Sequence, residues 1–540
     1  MAQMKSRNAQ LKSALGSLGT KERIAESHSI PKTDTVNRTG GAVYAVEDEL
    51  RLVSMLNTLK LEPQFYRSEN DTMRELQTLV EKLGIKDPYF VAQAIAWSRN
   101  CGEGMRSINH VAAALLAPFA SGTEWGKRFY SLYNKNTKSG GCIFRPDDMS
   151  EIKDVYSAIG KGALTNSMKK GFASVIESLD AYQLAKYKKS VIDISNLVHP
   201  NSKKSKATMM GDNKETIKVL DAIMKGLSVS ADTWEANQSE AGQIVATAVK
   251  EGKLSTEEAK AVLDNAKAEN WEGLLKDGKL GYLAALRNIR NILGVCRSKE
   301  SIDLLCKLLS NSDAIRKAKI LPYQIDIAID VLETLFSNYE KQIKDALMIG
   351  YDKALPNLAN VLSGKTLVVL DCSGSMDWAH VNDSHKSCLE KGALVAATIA
   401  KAAKSDIMLF GSTTEWAPKF GIYDNVFDFA KKFKRNMGGT YLSSVFEALT
   451  REKKVYDRII IISDNECYGR VVSDAYRRYV KEVCSPYIYE VDLAGYGTKP
   501  LKNDGKVQYY FGSSWTLFDD IAQNEFNPNA HIDKIRKYVI

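Results

Sequence analysis

The sequence predicts two architectures in one chain: an all-α array of paired helices over its first two thirds and a doubly wound α/β domain over its last third. Two observations carry this. From residue 47 to about 362, apolar residues recur at helical spacing with few alternating runs. After Gly364, β-branched and leucine-rich runs alternate with helical stretches, the pattern of a mostly parallel sheet covered by helices. The 540-residue chain therefore divides into 1–362 and 363–540.

In the first part, helices are expected at 73–83, 89–99, 109–117, 168–178, 255–266 and 280–293. Asp87-Pro88 marks one helix start, and Ser255-x-x-Glu258 reads as a capping box. Roughly 300 residues of helices without strands favour stacked helix pairs over one large bundle. The polar, lysine-rich stretch 201–213 reads as an exposed loop. In the second part, a strand at 366–370 leads through a turn into a helix at 386–404. Further strands are expected at 407–410, 458–463, 487–493 and 507–511, with helices at 441–450, 475–483 and 517–524. Such sheets bind ligands at the carboxyl ends of their strands.

Composition narrows the function classes. Hydrophobic residues make up 44% and charged residues 26%, and no segment approaches the roughly 20 apolar residues that span a bilayer. The first 20 residues are polar and basic, without the apolar core of a secretory signal, so a cytoplasmic location is expected. The eight cysteines show no Cys-x-x-Cys spacing and read as reduced thiols. The net charge is +9, with 24 basic against 22 acidic residues at 361–540 and 50 against 43 before. That mild surplus permits a polyanionic partner without demanding one, because counterion release needs clustered Lys and Arg.

The run Asp371-Cys372-Ser373-Gly374-Ser375 falls where the first strand of the α/β part ends. Asp371, Ser373 and Ser375 alternate their oxygens toward one point, offering a carboxylate and two hydroxyls to a hard divalent cation. Gly438-Gly439-Thr440 adds a hydroxyl before a helix, and Ser463-Asp464 adds a carboxylate at the end of another apolar strand. Asp371, Ser373, Ser375, Thr440 and Asp464 together resemble the metal-ion-dependent adhesion site of von Willebrand factor A domains, with every position filled. The resemblance implies Mg2+ with one coordination position open to an acidic group of a partner. An isolated Ser/Gly turn would merely cap the following helix; the ordered arrival of Thr440 and Asp464 on two other strand-end loops argues for a site.

Catalytic alternatives lack their parts. A phosphoaspartyl transferase needs a second carboxylate where Ser373 stands, and the Gly-x-Ser-x-Gly elbow, the Gly-x-x-x-x-Gly-Lys-Ser/Thr loop and the dinucleotide fingerprint are missing. Asp464-Asn465-Glu466 hints at a two-metal nuclease, but no further carboxylate cluster follows. The chain is read as a non-enzyme.

Asn37-x-x-Gly40-Gly41-x-x-Tyr44, Ala163-Leu164 with Met168-Lys169-Lys170, Leu286-Arg287-Asn288, and Ile320-Leu321-Pro322-Tyr323-Gln324, followed by the metal motif, resemble the Ro autoantigen family and its TROVE module. The resemblance implies a ring of HEAT-like helical repeats closed by a von Willebrand factor A-like (Rossmann-like) domain. It further implies small structured Y-like RNA bound on the outer rim and single-stranded ends of misfolded RNA entering the hole. In bacterial relatives such RNA can tether an exoribonuclease. A monomeric protein is expected.

Phosphate contacts need basic residues on helical faces. The candidates are Lys161, Lys169, Lys170, Lys186, Lys188, Lys189, His199, Arg287 and Arg290, with Arg287 and Arg290 expected on one helix face. Lysine runs on repeat proteins also form plain solvated faces, and His199 before Pro200 also reads as a turn residue. A metal-dependent protein adaptor without RNA is the alternative, and a hydrolase acting at Asp371 and Asp464 comes third.

Overall fold

The structure, a computed structural model, describes residues 35–540 except 60, 62–67, 103–104, 121–128, 136–139, 161, 211–214, 228, 230–254, 297, 319, 321, 334–338, 355–363, 379–385, 422–424, 469–471, 503–505 and 513–529. The helix expected at 517–524 and the division between 362 and 363 lie outside the described residues. The chain forms two compact units. One is assembled from Met1–Glu177, Lys189–Asn201 and Asn357–Ile540, the other from Ser178–Lys188 and Ser202–Pro356.

In the first unit, strand β1 (Thr35–Val36) turns into strand β2 (Ala42–Ala45), and the helices Asp48–Thr58, Glu69–Lys86, Pro88–Asn100, Ser107–Leu116 and Pro146–Ala158 follow and pack on one another. The expected helix 73–83 begins earlier because Ser68 caps it, its hydroxyl accepting from Asp71 N. Asp87 then ends that helix and caps the next, accepting from Phe90 N at 3.0 Å, with Pro88 supplying a fixed φ at the first helical position. Leu52, Val53, Met55, Leu76, Val80, Phe90, Val91 and Val111 are wholly buried between these helices. Each buried Val, Leu or Phe side chain contributes about 1.5–3 kcal/mol.

The second unit is also helical, but it holds a small hairpin where the sequence suggests only loop. Strand β3 (Thr208–Met210) pairs antiparallel with β4 (Thr216–Lys218). The stretch 201–213 is therefore not a plain loop, and three-residue strands are too short to show alternation in sequence. Ser255 and Glu258 form the expected capping box at the head of the helix Thr256–Lys276. The helix expected at 280–293 is two, Tyr282–Arg287 and Ile289–Val295. Asn288 leaves helical geometry at the break and donates its side-chain amide to Ala284 O at 3.0 Å, a local bond that competes with the helix.

The sheet in the last third begins with strand β5 (Thr366–Asp371) and continues with β6 (Asp406–Phe410), β7 (Thr414–Trp416), β8 (Arg458–Ser463), β9 (Tyr487–Asp492) and β11 (Val507–Phe511). The intervening β10 (Thr498–Lys499) pairs instead with β2, placing Lys499 opposite Tyr44. Within the six-stranded sheet the order is β11-β9-β8-β5-β6-β7, parallel except for the edge strand β7. The helices Cys388–Ala403, Ser443–Arg451 and Val472–Glu482 stand near their expected places. The chain leaves β5 toward β6 on one side and later returns to β8 on the other. Diverging connections open a crevice between the carboxyl ends of β5 and β8, the topological switch point where such sheets bind ligands. The fold class is as expected: a mainly helical region followed by a doubly wound α/β sheet. Among the described residues no helix is long and apolar enough to cross a membrane.

Candidate metal centre

At this switch point the register places Leu370 opposite Ile462, so Asp371 and Ser463 emerge side by side from β5 and β8. Ser463 Oγ donates to Asp371 Oδ2 at 2.5 Å, and Asp371 Oδ1 accepts from Ser373 N at 2.8 Å. That turn brings the Ser373 and Ser375 hydroxyls to 3.2 Å from each other. The Thr440 loop is strapped alongside: Met437 N donates to Cys372 O at 2.7 Å, and Gly374 N donates to Gly438 O at 3.0 Å. Gly438 has φ +85°, where a side chain would be strained. Asp371, Ser373, Ser375, Thr440 and Asp464 are all buried; Asp371, Ser373, Ser375 and Asp464 act on one another directly, and Thr440 lies on the loop strapped to Cys372 and Gly374.

Electrostatics distinguish this pocket from an ordinary polar core. Burial pushes Asp371 up to about 7, and the Asp464 carboxyl adds to the shift. Burial also raises Asp464, opposed by the neighbouring Ser375 hydroxyl. Asp464 Oδ2 has no hydrogen-bond partner among the described residues. Two buried carboxyls that disfavour each other's charge, beside two or three hydroxyls and an orphaned oxygen, match the donor set of a hard divalent cation. Beyond Asp464 the backbone enters the left-handed region at Asn465 (φ +61°), a conformation Asn tolerates better than most residues.

What surrounds the ligands is not legible in their spacing. Ser463 reads as strand in the sequence, yet its hydroxyl orients Asp371. Trp378, Tyr441 and Tyr468, each close in sequence to a ligand, are exposed, and the two tyrosine rings lie 6.1 Å apart. An aromatic within four residues of each candidate ligand loop is the sequence signal that would have found them.

The basic candidates are distributed over both units. Lys161 lies outside the described residues. On the helix Asn166–Ser178, Lys169 is half-buried and Lys170 is exposed, with Nζ 3.9 Å from the Tyr130 ring centroid. Lys189 is exposed, and His199 sits in the left-handed region (φ +49°) just past the helix Lys188–Val198, with its N donating to Ser195 O. His199 is thus a helix-terminating residue as well as an exposed one. In the second unit Lys186 is exposed beside the Tyr182 hydroxyl, while Lys188 donates to Leu227 O at 3.2 Å. Arg287 and Arg290 are both exposed, but the break at Asn288 puts them on successive helices rather than one face.

Residues 235–366 match the TROVE domain family. In fold, the chain is similar to the crystal structure of the Ro (RSR) protein of Deinococcus radiodurans, with a TM-score of 0.57 and 16% identity over 89% of this chain and all of that one. Two further solved structures match with TM-scores of 0.20, too low to bear on the argument. They are an aerotolerance-related membrane protein from Bacteroides fragilis (15% identity, 32% of this chain, 97% of that one) and proximal thread matrix protein 1 of the mussel byssus (15%, 35% and 51%). A search of curated proteins found no matching relative. The chain therefore contains a segment that matches the TROVE domain and follows, in fold, the structure of a Ro protein, as the resemblance to the Ro autoantigen family led one to expect.

Proposed function

We propose that this chain is the non-catalytic RNA-binding component of a ribonucleoprotein, taking small structured non-coding RNA of the Y type and single-stranded ends of misfolded RNA in quality control or processing. The observation that carries it is the TROVE match at 235–366 within a chain that follows a Ro-protein fold over 89% of its length. Exposed Lys170, Lys186, Lys189, Arg287 and Arg290 supply phosphate contacts of the kind that dominate RNA affinity. An exoribonuclease tethered through the RNA, a cytoplasmic location and a monomeric state belong to the same reading.

In this reading a divalent cation, Mg2+ by its preference for hard oxygen donors, is held by Asp371, Ser373, Ser375, Thr440 and Asp464. Bound there, it would supply a Lewis-acidic point for an acidic group of a partner. The exposed Tyr441 and Tyr468 beside the site favour a second role as a metal-dependent protein-docking site.

The test is to crosslink the protein to RNA in cells and measure affinity for the recovered species against salt. The combined Lys169→Ala, Lys170→Ala and Arg287→Ala variant is expected to bind more weakly. Its salt slope should be shallower by about one unit for each phosphate that the variant no longer neutralises. Recovery of no RNA above background would hand the function to the protein adaptor.

A further inference from the structure

The motif Asn37-x-x-Gly40-Gly41 has no part in the metal or RNA sites as described, yet it rests against the loop that carries Asp464. The turn is closed by Asn37 N donating to Gly41 O at 2.8 Å and by Gly41 N donating to Asn37 Oδ1 at 2.7 Å. From that turn, Asn37 Nδ2 donates to Cys467 O at 2.8 Å, and the Thr39 hydroxyl donates to the same oxygen at 3.2 Å. Arg38 N donates to Glu466 Oε2 at 2.9 Å, and Arg38 Nη1 donates to Glu466 Oε1 and Tyr496 O, both at 3.1 Å. Gly41 lies flat on the loop, since a Cβ there would stand 1.9 Å from Cys467 O.

These bonds act close to the metal carboxylate. Glu466 N donates to Asp464 Oδ1 at 3.1 Å, so the residue that Arg38 holds by its side chain also orients the ligand by its backbone. Glu466 is wholly buried, with both carboxylate oxygens taken up by Arg38. The intervening Asn465 turns the loop through the left-handed region, a conformation open to Asn but not fixed by it. What keeps it there on this side is a turn more than 420 residues earlier in the chain.

We infer that the Asn37–Gly41 turn positions the Asp464 loop for cation binding, so that docking of the turn and metal affinity are linked. The inference rests on the metal-site reading above. Partners that orient a ligand typically change metal affinity 10- to 100-fold when removed. Linkage is reciprocal: if the docked turn raises affinity for the cation, the cation must strengthen docking by the same factor.

The experiment uses the full chain and Mn2+ followed by electron paramagnetic resonance. Asn37→Ala, Thr39→Val and Gly41→Ala leave the local charge unchanged, unlike a change at Arg38, which would also remove a repelling cation. Mn2+ binding is expected to weaken about ten-fold in Asn37→Ala and more in Gly41→Ala, with the smallest loss in Thr39→Val. A second readout needs no change in the turn: saturating Mg2+ should slow amide exchange of residues 36–44 several-fold in the wild type and not in Asp464→Asn. If the wild type binds Mn2+ while the folded turn variants keep its affinity and Mg2+ leaves 36–44 exchange unchanged, the linkage is overturned and the metal site survives. If the wild type shows no saturable Mn2+ binding, the metal site itself is overturned and the linkage falls with it.

Discussion

Two buried acidic clusters in the same unit look alike by composition and behave in opposite ways. At the switch point of the sheet, Asp371 and Asp464 face hydroxyls and each other, and burial holds both above the ordinary carboxylate range. Among the helices, His110, Asp148 and Glu151 converge at metal-ligand spacing. Burial alone would raise these two carboxyls as well, but His110 and Arg106 pull Asp148 and Glu151 down, with Arg99 also acting on Asp148. Arg106 reaches Asp148 at 2.8 Å, Asp147 at 2.9 Å and Glu151 at 3.3 Å, Arg145 reaches Asp147 at 2.7 Å, and His110 Nδ1 lies 2.9 Å from Glu151. The helical cluster brings its own cations, whereas the sheet cluster leaves charge for an ion to complete. Convergent acids therefore suggest a metal site only after the guanidinium groups around them are counted.

The largest expected effect falls on the self-neutralised cluster. Arg106→Ala strips the shared cation from three carboxylates and should destabilise the protein by about 3–5 kcal/mol, as breaking a buried pair does. A urea-unfolding midpoint indistinguishable from wild type would erase the contrast. Next, Asp464→Asn should weaken divalent-cation binding by at least about 100-fold, the upper end of what even outer-shell changes cost. Calorimetric titration reads this directly, and His110→Ala in the same assay should leave cation affinity unchanged; a loss there would move the metal site to the helices.

The pH dependence sharpens the comparison further. Asp371, raised to about 7, contributes stability that is full below its unfolded value and lost as pH rises through about 7. Burial raises Glu466, Glu490 and Asp492 into the same range. The metal-free protein should therefore gain Tm as pH falls from 8 to 6 through all four groups, and saturating Mg2+ should remove the part that Asp371 contributes. Asp148 and Glu151 are depressed, so their contribution is present above the unfolded carboxylate range and is lost only as pH falls below it. A Tm slope between pH 8 and 6 unaffected by Mg2+ would contradict the assignment. The smallest effect is expected at the rim: Tyr441→Ala, at an exposed side chain, should change Tm by no more than the shift expected from about 0.5 kcal/mol.

The sequence alone indicated the main strands of the sheet and the candidate ligand residues. Strong periodicity placed β5, β6, β8, β9 and β11 within a residue or so, and the spacing of Asp371, Ser373 and Ser375 named the first ligand loop, because both are local properties of consecutive residues. It did not reveal the helix break at Asn288, which a single side-chain bond accompanies, or the hairpin at Thr208–Met210, too short to alternate. Nor could spacing tell whether a buried acid meets a hydroxyl, a guanidinium or another acid. Tertiary structure alone decided that Ser463 orients Asp371, that Arg106 neutralises the helical acids, and that the Asn37 turn supports the loop of Asp464. Each of these joins side chains from separate segments, and only packing fixes which charges share a low-dielectric pocket.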